Sequence, residues 1–155
     1  MLNARSSAPA DVGSLDDLVE QLGDPQKRNA AIVMLVGGIT ATELRELRKL
    51  PENVFDALKR GLNHANPKVR WWCIQILDHV PDARALWAVA NLLDDPVPRV
   101  RRNAVHALGC VPCKPDACEL PETLVQRITE MAADDPIPKV RSEASYALTC
   151  RTSGV

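Results

Sequence analysis

Asp94-Asp95-Pro96-Val97-Pro98-Arg99-Val100-Arg101 runs into Ala104, Ala107, Leu108 and Gly109, and the same order of chemistry returns in Asp134-Asp135-Pro136-Ile137-Pro138-Lys139-Val140-Arg141 before Ala144, Ala147 and Leu148. A shorter copy runs Asn66-Pro67-Lys68-Val69-Arg70 into Cys73, Ile76 and Leu77, and a worn one Asp24-Pro25-Gln26-Lys27-Arg28 into Ala31, Met34 and Leu35. Aligned on Arg28, Arg70, Arg101 and Arg141, the copies recur every ~31–42 residues, a spacing typical of stacked arrays. Asp or Asn before Pro suits a turn whose side chain caps the next helix, and Pro near the helix start gives up an N–H that has no partner there. Small and apolar residues then follow at helical spacing. A helix with one apolar stripe cannot bury it alone, so each copy needs its neighbours to complete a core.

Composition agrees with such an array. One Phe and one Tyr accompany three Trp, so the core rests on Leu, Val, Ile and Ala. The 12 Pro are too many for helix interiors and fall mostly at expected helix starts and connections. A net charge of −1 with interleaved acids and bases argues against a dedicated polyanion binder. The longest apolar run, Ala30 to Ile39, is too short to span a bilayer. Five Cys, an odd number, point to reduced thiols and a cytoplasmic setting.

In chain order, residues 1–13 read as a small, polar, disordered leader, 14–150 as one repeat domain, and 151–155 as a tail. Ser14 caps a short helix over Leu15, Leu18, Val19 and Leu22. The apolar residues of the next helix, Ala30 to Val36, nearly encircle it and predict burial on more than one side. Thr40 and Glu43 have capping-box spacing, predicting an extra helix near 40–50. Later hairpins are expected near 53–79, 82–109 and 121–150, after a first near 15–37. Within the third, Ala85, Leu86, Val89, Leu92 and Leu93 share a buried side, and Trp87, among apolar residues, is assigned to packing.

The pattern Leu92-Leu93-x-Asp95-Pro96-x-Pro98-x-Val100-Arg101-x-x-Ala104-x-x-Ala107-Leu108-Gly109 closely resembles the HEAT repeat, particularly its short bacterial form. The likeness covers residues 53–150 well and 15–37 weakly. It implies an all-α fold, a right-handed α-α superhelix (α-solenoid) of about four helical hairpins, with the second (B) helix of each hairpin lining the concave side. It also implies that Arg70, Arg101 and Arg141 belong to a structural ladder tied between repeats through Asp95 and Asp135.

With the Val-Arg pair as phase reference, the B helices present Trp72, Gln75 and His79, then Asn103, His106 and Cys110, then Glu143, Tyr146 and Cys150. Spacings of three and four put each set on one helix face. The worn copy has Ala30, Val33 and Gly37 there, nothing polar. The expected partner-binding residues are therefore Trp72, Gln75, His79, Asn103, His106, Glu143 and Tyr146. The competing reading is that these side chains only cover the core edge with their tips in water. Trp71 and Trp72 are adjacent and cannot point the same way.

Cys110, Cys113 and Cys118 form C-x-x-C-x4-C in a proline-rich connection, and Cys150 falls at the repeat position of Cys110. A zinc or iron site completed by Cys150 or His106 is one reading, and a redox-active Cys110–Cys113 pair is another. Inert thiols lead, because one CxxC without a second is a weak signal and free Cys packs as a small hydrophobe.

Enzymes that share the repeat set the remaining alternatives. Deoxyhypusine hydroxylases carry His-Glu pairs for a di-iron centre, and this chain has no His-Glu dipeptide. Alkylpurine DNA glycosylases of HEAT-like build use a basic groove with Trp and a catalytic Asp. Here Trp71, Trp72, Arg101 and Arg102 are joined by Glu143, which interrupts a basic stripe. Phycobilin-lyase subunits bind a tetrapyrrole, which nothing here singles out. No Gly-rich phosphate loop, Ser-His-Asp order or paired-carboxylate signature is present. The leading reading is a non-enzymatic scaffold that binds a protein or peptide along the concave B-helix face, without membrane, nucleic acid or cofactor.

Overall fold

A computed structural model of the chain describes residues 13–38, 49–80, 82–109 and 120–152. Among them are eight α-helices and no strand: α1 Leu15–Gln21, α2 Arg28–Leu35, α3 Glu52–Gly61, α4 Pro67–Asp78, α5 Ala85–Ala90, α6 Pro98–Gly109, α7 Glu122–Asp134 and α8 Pro138–Thr152. A 3₁₀ turn, Asn91–Asp94, follows α5. The expected helix near 40–50 falls mostly on residues outside the described ones. No described helix is long and apolar enough to cross a membrane.

Local chemistry sets the helix starts. Ser14 and Asp17 form a reciprocal capping box on α1. At the repeat turns the same contact appears four times: a side-chain oxygen accepts the backbone N–H two residues on, in Asp24–Gln26 (2.9 Å), Asn66–Lys68 (3.0 Å), Asp95–Val97 (2.8 Å) and Asp135–Ile137 (2.9 Å). In the first copy this contact shapes a turn, and the α-helix begins only at Arg28. Gly37 and Gly38 end that helix with φ of 69° and 76°, a region where a Cβ is unfavourable.

The helices pair as α1/α2, α3/α4, α5/α6 and α7/α8, while α4 packs on α6 and α6 on α8. One continuous core results, with Leu22, Leu58, Leu62, Ile74, Leu77, Leu93, Ile128 and the Val69, Val100, Val140 series fully buried. The repeated Val of the Val-Arg pair thus faces inward in each of the last three repeats. The α6–α8 approach is close: a Cβ on Gly109 would lie 2.3 Å from the Ala147 Cβ. Charge is buried with the core where it is paired. Asp82 accepts Arg84 Nη2 at 2.6 Å and the Leu50 N–H at 3.4 Å, and Arg84 lies over the Phe55 ring. Burial pushes the Asp82 carboxyl up, but the Arg84 contacts outweigh it and hold it below its usual value.

Three sequence expectations are corrected. The helix over Ala30 to Val36 buries Ala31, Leu35 and Val36 but leaves Val33 and Met34 more than half exposed, so its burial is one-sided. Trp87 is 56 % exposed, because α5 turns Ala85 and Val89 inward and Trp87 lies between them on the outer side. The run from Ala85 to Leu93 is also not one α-helix. It tightens to 3₁₀ at Asn91, which brings the adjacent Leu92 and Leu93 both into the core.

Candidate functional site

The motif arginines sort by partner. Arg70 donates through Nε and Nη2 to Asp95 at 2.7 and 2.9 Å, and through Nη1 to the carbonyls of His64 and Ala65. Arg101 repeats the fork on Asp135, at 2.9 and 3.1 Å, with Nη1 on the Asp95 carbonyl. Arg141 donates to the Asp135 carbonyl at 2.7 Å. Each Asp therefore braces the turn before its own helix, accepting the Val97 or Ile137 N–H, and receives the preceding repeat's arginine. The hydrogen bonds from Arg101, opposed by burial and helped by the Ile137 N–H, hold the Asp135 carboxyl below its usual value.

The ladder Asp stands six residues before the arginine of its own copy, so by the same register Arg28 would face position 64. That position holds His, whose Nδ1 accepts the Asn66 N–H at 3.0 Å and whose backbone carbonyl accepts Arg70 Nη1, so the fork has no carboxylate to receive it. Arg28 lies instead over the Trp72 ring, 4.4 Å from its centroid.

Beside the ladder, α4, α6 and α8 present an open cleft of about 300 Å³ bordered by Trp71, Gln75, Asn103, His106, Arg102 and Glu143. Gln75 Nε2 donates to Asn103 Oδ1 at 2.6 Å, and Asn103 Nδ2 to the Trp71 carbonyl at 3.1 Å. Glu143 accepts Arg102 Nε at 2.9 Å and lies 3.0 Å from His106 Nδ1. His106 Nε2 is 3.8 Å from the buried Asp78. Burial pushes the Glu143 carboxyl up, yet the His106 and Arg102 contacts prevail and keep it below the ordinary glutamate value. Glu143 is thus held ionised between its partners, and the cleft wall is a hydrogen-bonded surface.

Of the residues singled out from sequence, Gln75, Asn103, His106 and Glu143 meet in this cleft. His79 Nδ1 instead meets its own helix at the Gln75 carbonyl, 2.7 Å away. Tyr146 is 53 % exposed on α8. Trp72 borders a second cleft with Arg28 and Lys68, and Trp71 and Arg99 border both. The two indoles meet edge to face, centroids 4.7 Å apart. Arg28, Lys68 and Arg99 were not among the residues expected to bind. The signal for Lys68 and Arg99 was present in the basic-Val-Arg triplets Lys68-Val69-Arg70, Arg99-Val100-Arg101 and Lys139-Val140-Arg141, hidden by their proximity to the ladder.

Cys110, Cys113 and Cys118 fall outside the described residues. Cys150 is a half-buried free thiol, and Cys73 is buried, its thiol pushed up to about 12 by desolvation. Among the described residues no three His, Cys, Asp or Glu side chains are grouped to hold a metal.

The family profile of HEAT repeats matches residues 55–149. No curated protein matches the sequence. HEAT repeats are commonly protein-interaction scaffolds, and their stacked hairpins form an α-solenoid. The match begins in α3 and runs through the three hairpins that the arginine–aspartate ladder joins, and on that extent the chain belongs to the HEAT-repeat family.

Proposed function

We propose that the chain is a non-enzymatic scaffold that binds a protein or peptide along its B-helix face, the concave side in arrays of this family. The observation that supports this most is the cleft between α4, α6 and α8, where Gln75, Asn103, His106 and Glu143 come from three successive repeats. A surface shared by three repeats suits an extended segment lying across them. Its polar groups orient a ligand through hydrogen bonds, while Trp71 offers apolar area at the rim. The odd cysteine count and the burial of Cys73 as a thiol support a cytoplasmic setting.

Cross-linked affinity capture from the source cell tests the reading, using the wild type and an Arg102→Ala/Tyr146→Ala variant. Both changes lie on exposed side chains, so the fold should persist. Loss of the captured partners with an unchanged circular dichroism spectrum is the expected result. An identical captured set from both proteins would remove the B-helix face as the binding surface.

A further inference from the structure

We propose that the cleft at the N-terminal ends of α2, α4 and α6 is a binding site for a carboxylate-rich peptide segment with an apolar residue among its acids. The cleft encloses about 310 Å³, and Arg28, Lys68, Arg99, Trp71, Trp72 and Val97 border it. Its lining contains three cations and no acid. Among the described residues, no carboxylate lies within ion-pair distance of Arg28, Lys68 or Arg99, whereas Arg70, Arg101 and Arg102 all have one. The chain as a whole carries a net charge of −1, so this local excess does not follow from a basic composition. Three like charges around one cleft repel each other, and an anion placed among them relieves that repulsion.

The arginines are held in place. Arg28 lies 4.4 Å from the Trp72 centroid and Arg99 4.7 Å from the Trp71 centroid. A guanidinium resting on an indole keeps its planar fork and loses less freedom on receiving a carboxylate. Arg28 is available because His64 stands where the later repeats place an Asp, six residues before the next ladder arginine. The interruption of the ladder and the free cation are one feature.

The same stacking favours acidic peptide over nucleic acid. Bases bind such surfaces by stacking on aromatic faces, and here a guanidinium already occupies a face of each indole. A polyanion continuing along the B helices would next meet Glu143. A short acidic segment ends before it, and its apolar residue can lie on Val97 and the indole edges. The inference rests on the peptide-binding reading above and specifies the chemistry of the peptide.

Random-peptide phage selection on the full chain, run in parallel on the wild type, on Arg28→Gln/Arg99→Gln and on Lys68→Gln/Arg99→Gln, tests the site. The second variant leaves the Arg28–Trp72 contact in place, which separates lost charge from disturbed packing. The wild type is expected to enrich Asp- and Glu-rich peptides, and a labelled copy of the leading sequence should bind each variant at least about ten-fold more weakly. Enriched peptides without excess acid, or acidic peptides that bind both variants as well as the wild type, would overturn the site and leave peptide binding standing. No enrichment by the wild type would remove both. Displacement of the labelled peptide by an oligothymidylate of equal charge, more readily than by the unlabelled peptide, would overturn it in favour of nucleic acid.

Discussion

Two rows of cations run along the B-helix starts, two residues apart in sequence and opposite in fate. Arg70 and Arg101 lie one step past the buried Val69 and Val100, with side chains only 11 % and 12 % exposed and forked onto Asp95 and Asp135. Lys68 and Arg99 lie one step before the same valines, exposed and without a carboxylate. Both rows carry the same charge, and the helical turn separates them by about 200° around the axis. One row is turned into the joint between repeats and the other is left beside the cleft. What distinguishes scaffold from candidate site here is a neighbouring carboxylate, and Arg28 shows it directly: it has the ladder position without the Asp and behaves as a member of the outer row.

The largest effect should come from breaking the inner row. Asp95→Ala removes the partner of a buried arginine and the acceptor for the Val97 N–H together, and a loss of about 3–5 kcal/mol in urea unfolding is expected. A loss under about 1 kcal/mol would mean the fork is incidental. Next is the spacing that lets Arg101 reach Asp135. Gly109→Ala drives a Cβ into Ala147 and should cost about 1–3 kcal/mol despite its better helix propensity, with Ala147→Gly in the same chain restoring part of it. If the double variant is no more stable than Gly109→Ala alone, the close approach does not set the α6–α8 distance.

Of the two rows, only the inner one should weaken in acid. The folded Asp135 carboxyl titrates below its unfolded value of ~3.9. Its contribution is therefore complete above about pH 4 and is lost as pH falls through the lower folded value. Urea midpoints measured against pH should decline less steeply on the acid side for Asp135→Asn, and parallel curves would sink the assignment.

Two smaller changes sharpen the contrast. His64→Asp supplies the missing carboxylate and should draw Arg28 from the Trp72 ring. A changed tryptophan emission with a stability gain of about 1 kcal/mol at most is the expected outcome, and unaltered emission would show that Arg28 does not follow the ladder rule. Arg99→Gln, in the outer row, should leave the unfolding free energy within about 0.5 kcal/mol; a larger loss would place it with the scaffold.

Much of this architecture was readable in advance because it is local or periodic. Asp-Pro turns, the capping Ser14, the small residues Ala104 and Ala144 and the repeating Val-Arg pair each act within a helical turn or recur in phase, and periodicity turns a weak signal into a strong one. The meeting of Gln75, Asn103, His106 and Glu143 was legible only as a shared phase. Their hydrogen bonds depend on how far α4, α6 and α8 stand apart. Trp87 and the helix over Ala30 to Val36 misled for the opposite reason. Apolar residues there predict burial, but burial needs a neighbour on that side, and no pattern within one helix states whether one is present.

By itself the sequence determined that this chain stacks helical hairpins and which valines and alanines of the Val-Arg copies face the core, since amphipathic spacing is a property of the chain segment alone. Only the tertiary structure decided which charges are neutralised. Arg28, Arg70 and Arg101 are equivalent in sequence, and their roles diverge because a carboxylate is presented across the repeat boundary to two of them and an imidazole stands in its place for the third. Coulombic pairing depends on distance in space. That distance exists only once the repeats are stacked.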